Sequence, residues 1–188
     1  MWQLMWQSLL RSSWFALAVM GAPLMGASSI GTPVHAQSWA DIGNYSSLLR
    51  RAGTQTLVAK DCPSGLLGAF HAGRNALLLC SNNLQDDPAH VWTVLAHESA
   101  HVMQHCQQGP LLPDHQIGSA LAQIEKQSLS SFQELRLYHQ SQRRDEIEAR
   151  LVQGLPMTEV KALFRGFCGD RLRPRAPKNL PVMGLGDG

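Results

Sequence analysis

The sequence predicts an α+β protein, a small antiparallel hairpin packed on a helical half, and three observations carry that prediction. Two short apolar runs, LLGAF and ALLLC, flank the turn-forming AGRN between Leu66 and Cys80, the pattern of a β-hairpin. The stretch from Pro88 to Gln107 has Asp86 or Asp87 placed to cap it, Pro88 suited to its first turn, and Gly109-Pro110 placed to end it, which reads as a helix. Beyond it the apolar residues recur at helical spacing as far as Cys168. A hairpin followed by a run of helices describes the α+β class.

Taken in order, the first residues stand apart from the rest. Arg11 is the only charged side chain before the apolar run WFALAVMGAPLMGA, and a small-residue stretch ends with Val34 and Ala36 in the two positions that precede a cleavage point. This is the pattern of a secretory signal peptide over residues 1–36. Pro23 and several glycines break the apolar run short of the about 20 residues that a membrane span needs, so no stable membrane insertion is expected after cleavage. A domain is expected over residues 37–169, with a possible short helix around Tyr45–Arg51, then the hairpin, whose second arm is Ala76–Cys80. SNNLQDDP breaks the chain before the capped helix. Pro113-Asp114 opens another helical region, with Ile117, Leu121 and Ile124 at helical spacing and Phe132, Leu135 and Tyr138 following less regularly. HQSQRRDEIEARLVQGLP carries a helix up to Gly154, and TEVKALFRGFC a last one ending near Cys168. Residues 170–188, rich in Pro, Gly and Arg, are expected to form a disordered tail.

The chain has 188 residues, enough for one domain with a substantial core. Its 16 Lys+Arg against 14 Asp+Glu leave no large basic face, so nucleic acid is not an expected partner. Cys62, Cys80, Cys106 and Cys168 are its four cysteines. In an exported chain they predict two disulfides, in any of three connectivities. None forms a C-x-x-C pair, which removes a redox motif or a four-cysteine zinc site from consideration.

The segment TVLAHESAHVMQHC contains H-E-x-x-H at His97, Glu98 and His101. Residues four apart on a helix lie about 40° from each other around the axis. His97 and His101 therefore project side by side, spaced so that two imidazoles can hold one Zn²⁺. Glu98 is turned away from ligation but within reach of a metal-bound water, where it can serve as general base. Val91, Trp92, Leu95, Val102, Met103 and Cys106 mark the opposite, buried face. His90 and His105 share the histidine face roughly and read as surface or supporting residues.

A catalytic zinc keeps three protein ligands and one water. The extension that supplies a third histidine from the same helix is excluded, because Gln104 and Gln107 occupy its Gly and His positions. The third ligand is then expected from a later helix, with Glu125, Glu134, Glu146, Glu148 and Glu159 as candidates. On a helical wheel of QRRDEIEARLVQ, Glu148 falls among Ile147, Leu151 and Val152, and Glu146 falls on the polar side with Gln142, Arg143, Arg150 and Gln153. A carboxylate on a buried face needs a strong partner, and a metal ion is one. This favours Glu148 as third ligand, with Glu146 as the alternative; pairing with Arg144 is the competing reading of Glu148.

HESAH followed downstream by EIEAR resembles the gluzincin type of zinc metallopeptidase. The run A-H-E-x-x-H-x-x-Q-x-C, with a signal peptide and a late Cys168, is similar to small secreted peptidases of bacterial type. The resemblance covers residues about 66–168 and implies a zincin-like fold. The family pattern E-x-x-A-D or E-x-x-A-N points to Glu146, with Ala149 in the Ala position and Arg150 where Asp or Asn would stand. The family rule and the wheel therefore disagree, and Glu148 keeps first place because of Arg150. The resemblance also implies that the strand before the active helix, Ala76–Cys80, lies along a cleft and pairs with substrate. It further implies an oxyanion-stabilising side chain, for which Tyr138, His139 and His115 are available. The function expected is that of an exported, secreted or periplasmic, zinc metallopeptidase acting on a peptide or protein. The alternative is a catalytically inactive zincin-like binding or structural protein of the cell envelope.

Overall fold

Helix α1, Trp39–Arg51, starts at a capping box in which Ser38 accepts a hydrogen bond from the Asp41 backbone and Asp41 accepts one from the Ser38 backbone. The computed structural model describes residues 38–173; the expected signal peptide and the residues after Arg173 lie outside it. Within α1, Ile42, Tyr45 and Leu49 recur at helical spacing and are buried with Leu48. This helix begins six residues earlier than the short one expected: its capping box lies at Ser38 and its buried spacing starts at Ile42, while Trp39 is exposed.

Three strands follow: β1 (Gln55–Ala59), β2 (Gly68–His71) and β3 (Ala76–Cys80), in the spatial order β1-β3-β2. The hairpin is present, with β2 antiparallel to β3 and Phe70 opposite Leu77. Its turn is a 3₁₀ segment, Ala72–Arg74, closed by Asn75 in the left-handed conformation at φ 49°. The sheet differs from expectation in being mixed. β1 pairs parallel with β3, Gln55 opposite Ala76 through Ala59 opposite Cys80, so β3 is central and its apolar run is covered on both sides. QTLVA was invisible as a strand because it is an edge whose Leu57 and Val58 are exposed, which removes the alternation that marks a half-buried strand. The loop from β1 to β2 is held by the Cys62–Cys80 disulfide and by Asn82 and Asn83, whose side chains bond the backbone of Cys62, Pro63 and Leu66.

Helix α2, Pro88–Gln107, has the extent expected from sequence. Asp87 caps it by accepting from the backbones of Ala89 and His90, Pro88 occupies its first turn, and Gln108 ends it at φ 58°. Then come α3 (Ile117–Gln127), α4 (Leu129–Glu134), α5 (Gln140–Gln153), α6 (Met157–Phe167) and the short α7 (Gly169–Leu172). Residues 170–172, expected in the tail, belong to α7, where Arg171 bonds the His105 carbonyl and the Asn75 side chain.

The fold is α+β, and α2 is its axis. One side of α2 rests on β2 and β3, and α5 and α6 pack along it. Tyr45 is fully buried between Trp92 of α2 and Phe164 of α6, edge-on to both at 5.1 and 5.8 Å. The Cys106–Cys168 disulfide fastens the end of α2 to the end of α6. Two disulfides and no free cysteine among the described residues match an oxidising compartment. No helix among those residues is long and apolar enough to cross a membrane.

Candidate metal centre

His97 and His101 lie one turn apart on α2, on the side that faces the middle of α5. Their ring centroids are 5.2 Å apart. Glu146, from the second turn of α5, reaches both: Oε2 is 3.4 Å from His97 Nε2 and Oε1 is 3.5 Å from His101 Nε2. The three side chains offer ligand atoms all within 4.8 Å of one another and are half-buried, so they could hold a metal ion. Two imidazoles and a carboxylate are a donor set suited to a divalent cation of borderline softness.

The remaining ring nitrogens support the same use. His97 Nδ1 is 2.9 Å from Gln153 Oε1, and His101 Nδ1 is 2.8 Å from Gln104 Oε1. An amide oxygen only accepts, so each Nδ1 carries a proton, and Nε2 is left as the nitrogen that can give a lone pair to a metal once it holds no proton of its own. Neither glutamine was anticipated. Gln153 lies two helical turns beyond Glu146 and Gln104 one turn beyond His101, so helical spacing from the candidate ligands is the signal that could have found them.

The preference for Glu148 is corrected by the geometry. Glu148 is completely buried, as the wheel implied, but its carboxylate is turned to the loop after α2. It accepts from the backbone N–H groups of Leu111 at 2.8 Å and Leu112 at 2.9 Å, and from Gln104 Nε2 at 2.9 Å. Arg144 Nε lies 3.6 Å away, one turn earlier. Buried carboxylates need strong partners, and here backbone amides, an amide side chain and a guanidinium supply them. The alternative, Glu146, is the glutamate that faces the histidines.

Glu98 is 6% exposed and bonded to the backbone of Phe70 in β2. Burial pushes its carboxyl above the usual carboxylate range and Glu146's charge adds to this, against the pull of His97 and His101. Burial opposes a charge on His101, yet its hydrogen bonds to Glu146 and Gln104 and the two nearby carboxylates raise it to about 9. Burial likewise opposes the Glu146 charge, but the hydrogen bonds from His101 and His97 win and lower it to about 2.

A cleft of ≈ 350 Å³ opens beside these groups, walled by Gly68, Ala69 and Phe70 of β2 and by Tyr138. A second, of ≈ 340 Å³, continues past His97 along Leu66, Leu67 and Val94. The two share Gly68, His97, Glu98 and Tyr138, so a groove runs beside β2 with the centre at its middle. The expectation that Ala76–Cys80 borders the cleft is corrected: β3 is paired on both sides, and β2 is the edge strand that lines it. Of the three oxyanion candidates, Tyr138 is the one brought here. Its phenol is raised by burial and by the Glu146 charge, and it is hydrogen-bonded to Arg150 and Glu146. His139 instead caps α5 through Ser141, and His115 lies in the 3₁₀ turn Asp114–Gln116 before α3, outside the residues that line the groove. Arg150, in place of the expected Asp or Asn, pairs with Glu134. His90 accepts from the Gln85 backbone, and the His105 ring packs against Phe70. Comparison with protein-family models, with curated proteins and with solved structures finds no match.

Proposed function

We propose that the protein is an exported zinc-dependent peptidase, with His97, His101 and Glu146 as metal ligands and Glu98 as general base. The observation that carries this reading is the convergence of three ligand atoms beside a buried fourth acid, at the midpoint of a groove bordered by an edge strand. A zinc ion held there would polarise a scissile carbonyl and make a bound water acidic. Glu98, with its carboxyl raised by burial, takes a proton from the attacking water and delivers it to the leaving amine. Tyr138 donates its phenol hydrogen to the oxygen on which charge develops. Cys80 N donates to Leu67 O, so by antiparallel alternation Gly68 and Phe70 turn their backbone groups outward, toward the groove. Glu98 uses the Phe70 backbone, and the rest of that edge is left for an extended peptide. The signal-like first residues and the two disulfides support a secreted or periplasmic location.

The test combines metal analysis with turnover of a quenched peptide library. About one zinc per chain is expected, retained in Glu98→Gln and in Tyr138→Phe. Turnover should fall by about 10²–10⁴-fold in Glu98→Gln. Full activity in that variant removes the general-base role, and a wild-type chain that takes up no zinc removes the reading as a whole. One zinc with no cleavage of any library member supports instead the inactive, zinc-binding envelope protein.

A further inference from the structure

We propose that Glu148 is a positioning residue of the metal centre, acting through Gln104 to set the tautomer of His101. The proposal rests on reading His97, His101 and Glu146 as metal ligands. Its basis is a hydrogen-bond chain with one direction. Glu148 is an acceptor, and Gln104 Nε2 donates to its Oε2 at 2.9 Å. The second hydrogen of the same nitrogen goes to the Asp145 carbonyl at 3.0 Å. Both hydrogens of the amide are thereby committed to groups that can only accept. Gln104 Oε1 has one way left to face, and it meets His101 Nδ1 at 2.8 Å. Turning the amide over would set its oxygen against a carboxylate and a carbonyl, and its N–H groups against the ring. His101 therefore keeps a proton on Nδ1, which leaves Nε2, the nitrogen that points at Glu146, as the one to ligate.

Glu148 is itself immobilised. Leu111 and Leu112 donate to its two oxygens, and Arg144 neutralises it from one turn away. Arg144 in turn bonds Asp114 and the Leu112 carbonyl. The loop after α2 thus holds the carboxylate, the carboxylate holds the amide, and the amide holds the ligand. Glu146 and Glu148, two residues apart on one helix, serve one centre from its two sides, the first at the metal and the second behind a histidine.

Zinc affinity by chelator competition, in the purified protein and in Gln104→Met, Glu148→Gln and the double variant, tests this. Each single change is expected to weaken zinc by about 10–100-fold, the range for losing an outer partner of a ligand. The double variant is expected to be no weaker than Gln104→Met alone, because Glu148 has no route to the ring once the amide is gone. Losses that multiply overturn the proposal, as does wild-type affinity in a folded Glu148→Gln. Should Glu148→Gln fail to fold, Gln104→Met and one spectroscopic measurement decide. Long-range ¹H–¹⁵N correlation of the His101 ring in the metal-free Glu146→Ala protein, at a pH where the ring is neutral and no Glu146 carboxylate draws the proton to Nε2, is expected to show the proton on Nδ1; a proton on Nε2 overturns the relay. This readout needs no zinc, so it stands apart from failure of the peptidase reading.

Discussion

Gly68 of β2 and Glu98 of α2 are in such close apposition that a Cβ on the glycine would lie 3.0 Å from Glu98 Cγ, with Val94 Cγ1 at 2.8 Å and the Leu78 carbonyl at 3.1 Å. The edge of the sheet and the acid of the motif approach each other at the one residue that has no side chain. A methyl there has to displace side chains already packed against a strand. Gly68→Ala is expected to destabilise the fold by about 1–3 kcal/mol, the usual cost of overpacking. Its catalytic effect should exceed that of any surface change, because Glu98 is one of the atoms pushed. Denaturant midpoints and peptide turnover on the same samples check both, and a variant with wild-type stability shows the strand free to move aside.

Glu146 and Glu148 should separate cleanly in metal analysis. Glu146→Ala removes a proposed ligand, and zinc is expected to weaken by more than the about 10–100-fold that accompanies loss of an outer partner. Its cost to folding is that of losing its pairing with the two histidines and its contact with Tyr138 from a half-buried site. Glu148→Ala should do the reverse and lower stability first, leaving the Leu111 and Leu112 amides without an acceptor. Zinc content and thermal midpoint measured side by side give the comparison; equal zinc loss with equal destabilisation contradicts it.

Zinc uptake should release a proton. In the metal-free protein His101 titrates at about 9, so it is protonated at neutral pH, and a metal can bind only after that proton leaves. Apparent affinity is therefore expected to rise by about tenfold per pH unit from near neutrality and to level off above about 9. Calorimetry in two buffers of different ionisation enthalpy measures the release directly. The same contact affects the metal-free fold with the opposite sign. His101 lies above its ordinary 6.5, so its contribution is complete below that value and is lost as pH rises through about 9. Glu146 lies below its ordinary 4.5, so its contribution is present above that value and is lost as pH falls through about 2. The pair stabilises the metal-free protein most between these ordinary values.

The disulfides should differ in weight. Cys106–Cys168 spans 62 residues and Cys62–Cys80 spans 18. Chain entropy alone assigns about 4 kcal/mol to the longer and about 3 kcal/mol to the shorter. Replacing Cys106 and Cys168 by alanine is expected to lower the thermal midpoint more than replacing Cys62 and Cys80. The reverse order would place the larger effect in the loop that precedes β2.

What could be read from sequence was what neighbours along the chain decide. Asp87, Pro88 and Gly109 bracket α2, and AGRN with the two apolar runs around it locates the hairpin. The four cysteines announced two bridges but not their pairing. β1 escaped because its partner is central and its own outer face is wet. The glutamate went astray for a different reason. The wheel correctly placed Glu148 inside, but what satisfies a buried carboxylate comes from a loop 36 residues away and from another helix. Local periodicity reports burial without naming the partner. The E-x-x-A spacing pointed to Glu146, and Arg150, which argued against it, has its own use with Glu134 and Tyr138.

The Cys106–Cys168 bridge closes the chain between those residues into a covalent ring. Glu146, Tyr138 and Gln153 lie on that ring, and His97, Glu98 and His101 on the stem that enters it. A single backbone cut anywhere between the two cysteines, for instance near the exposed Leu129 or Leu137, opens the ring without parting the molecule. Both fragments migrate together until the bridge is reduced. A nick in this region therefore changes connectivity and leaves every side chain of the centre on one molecule.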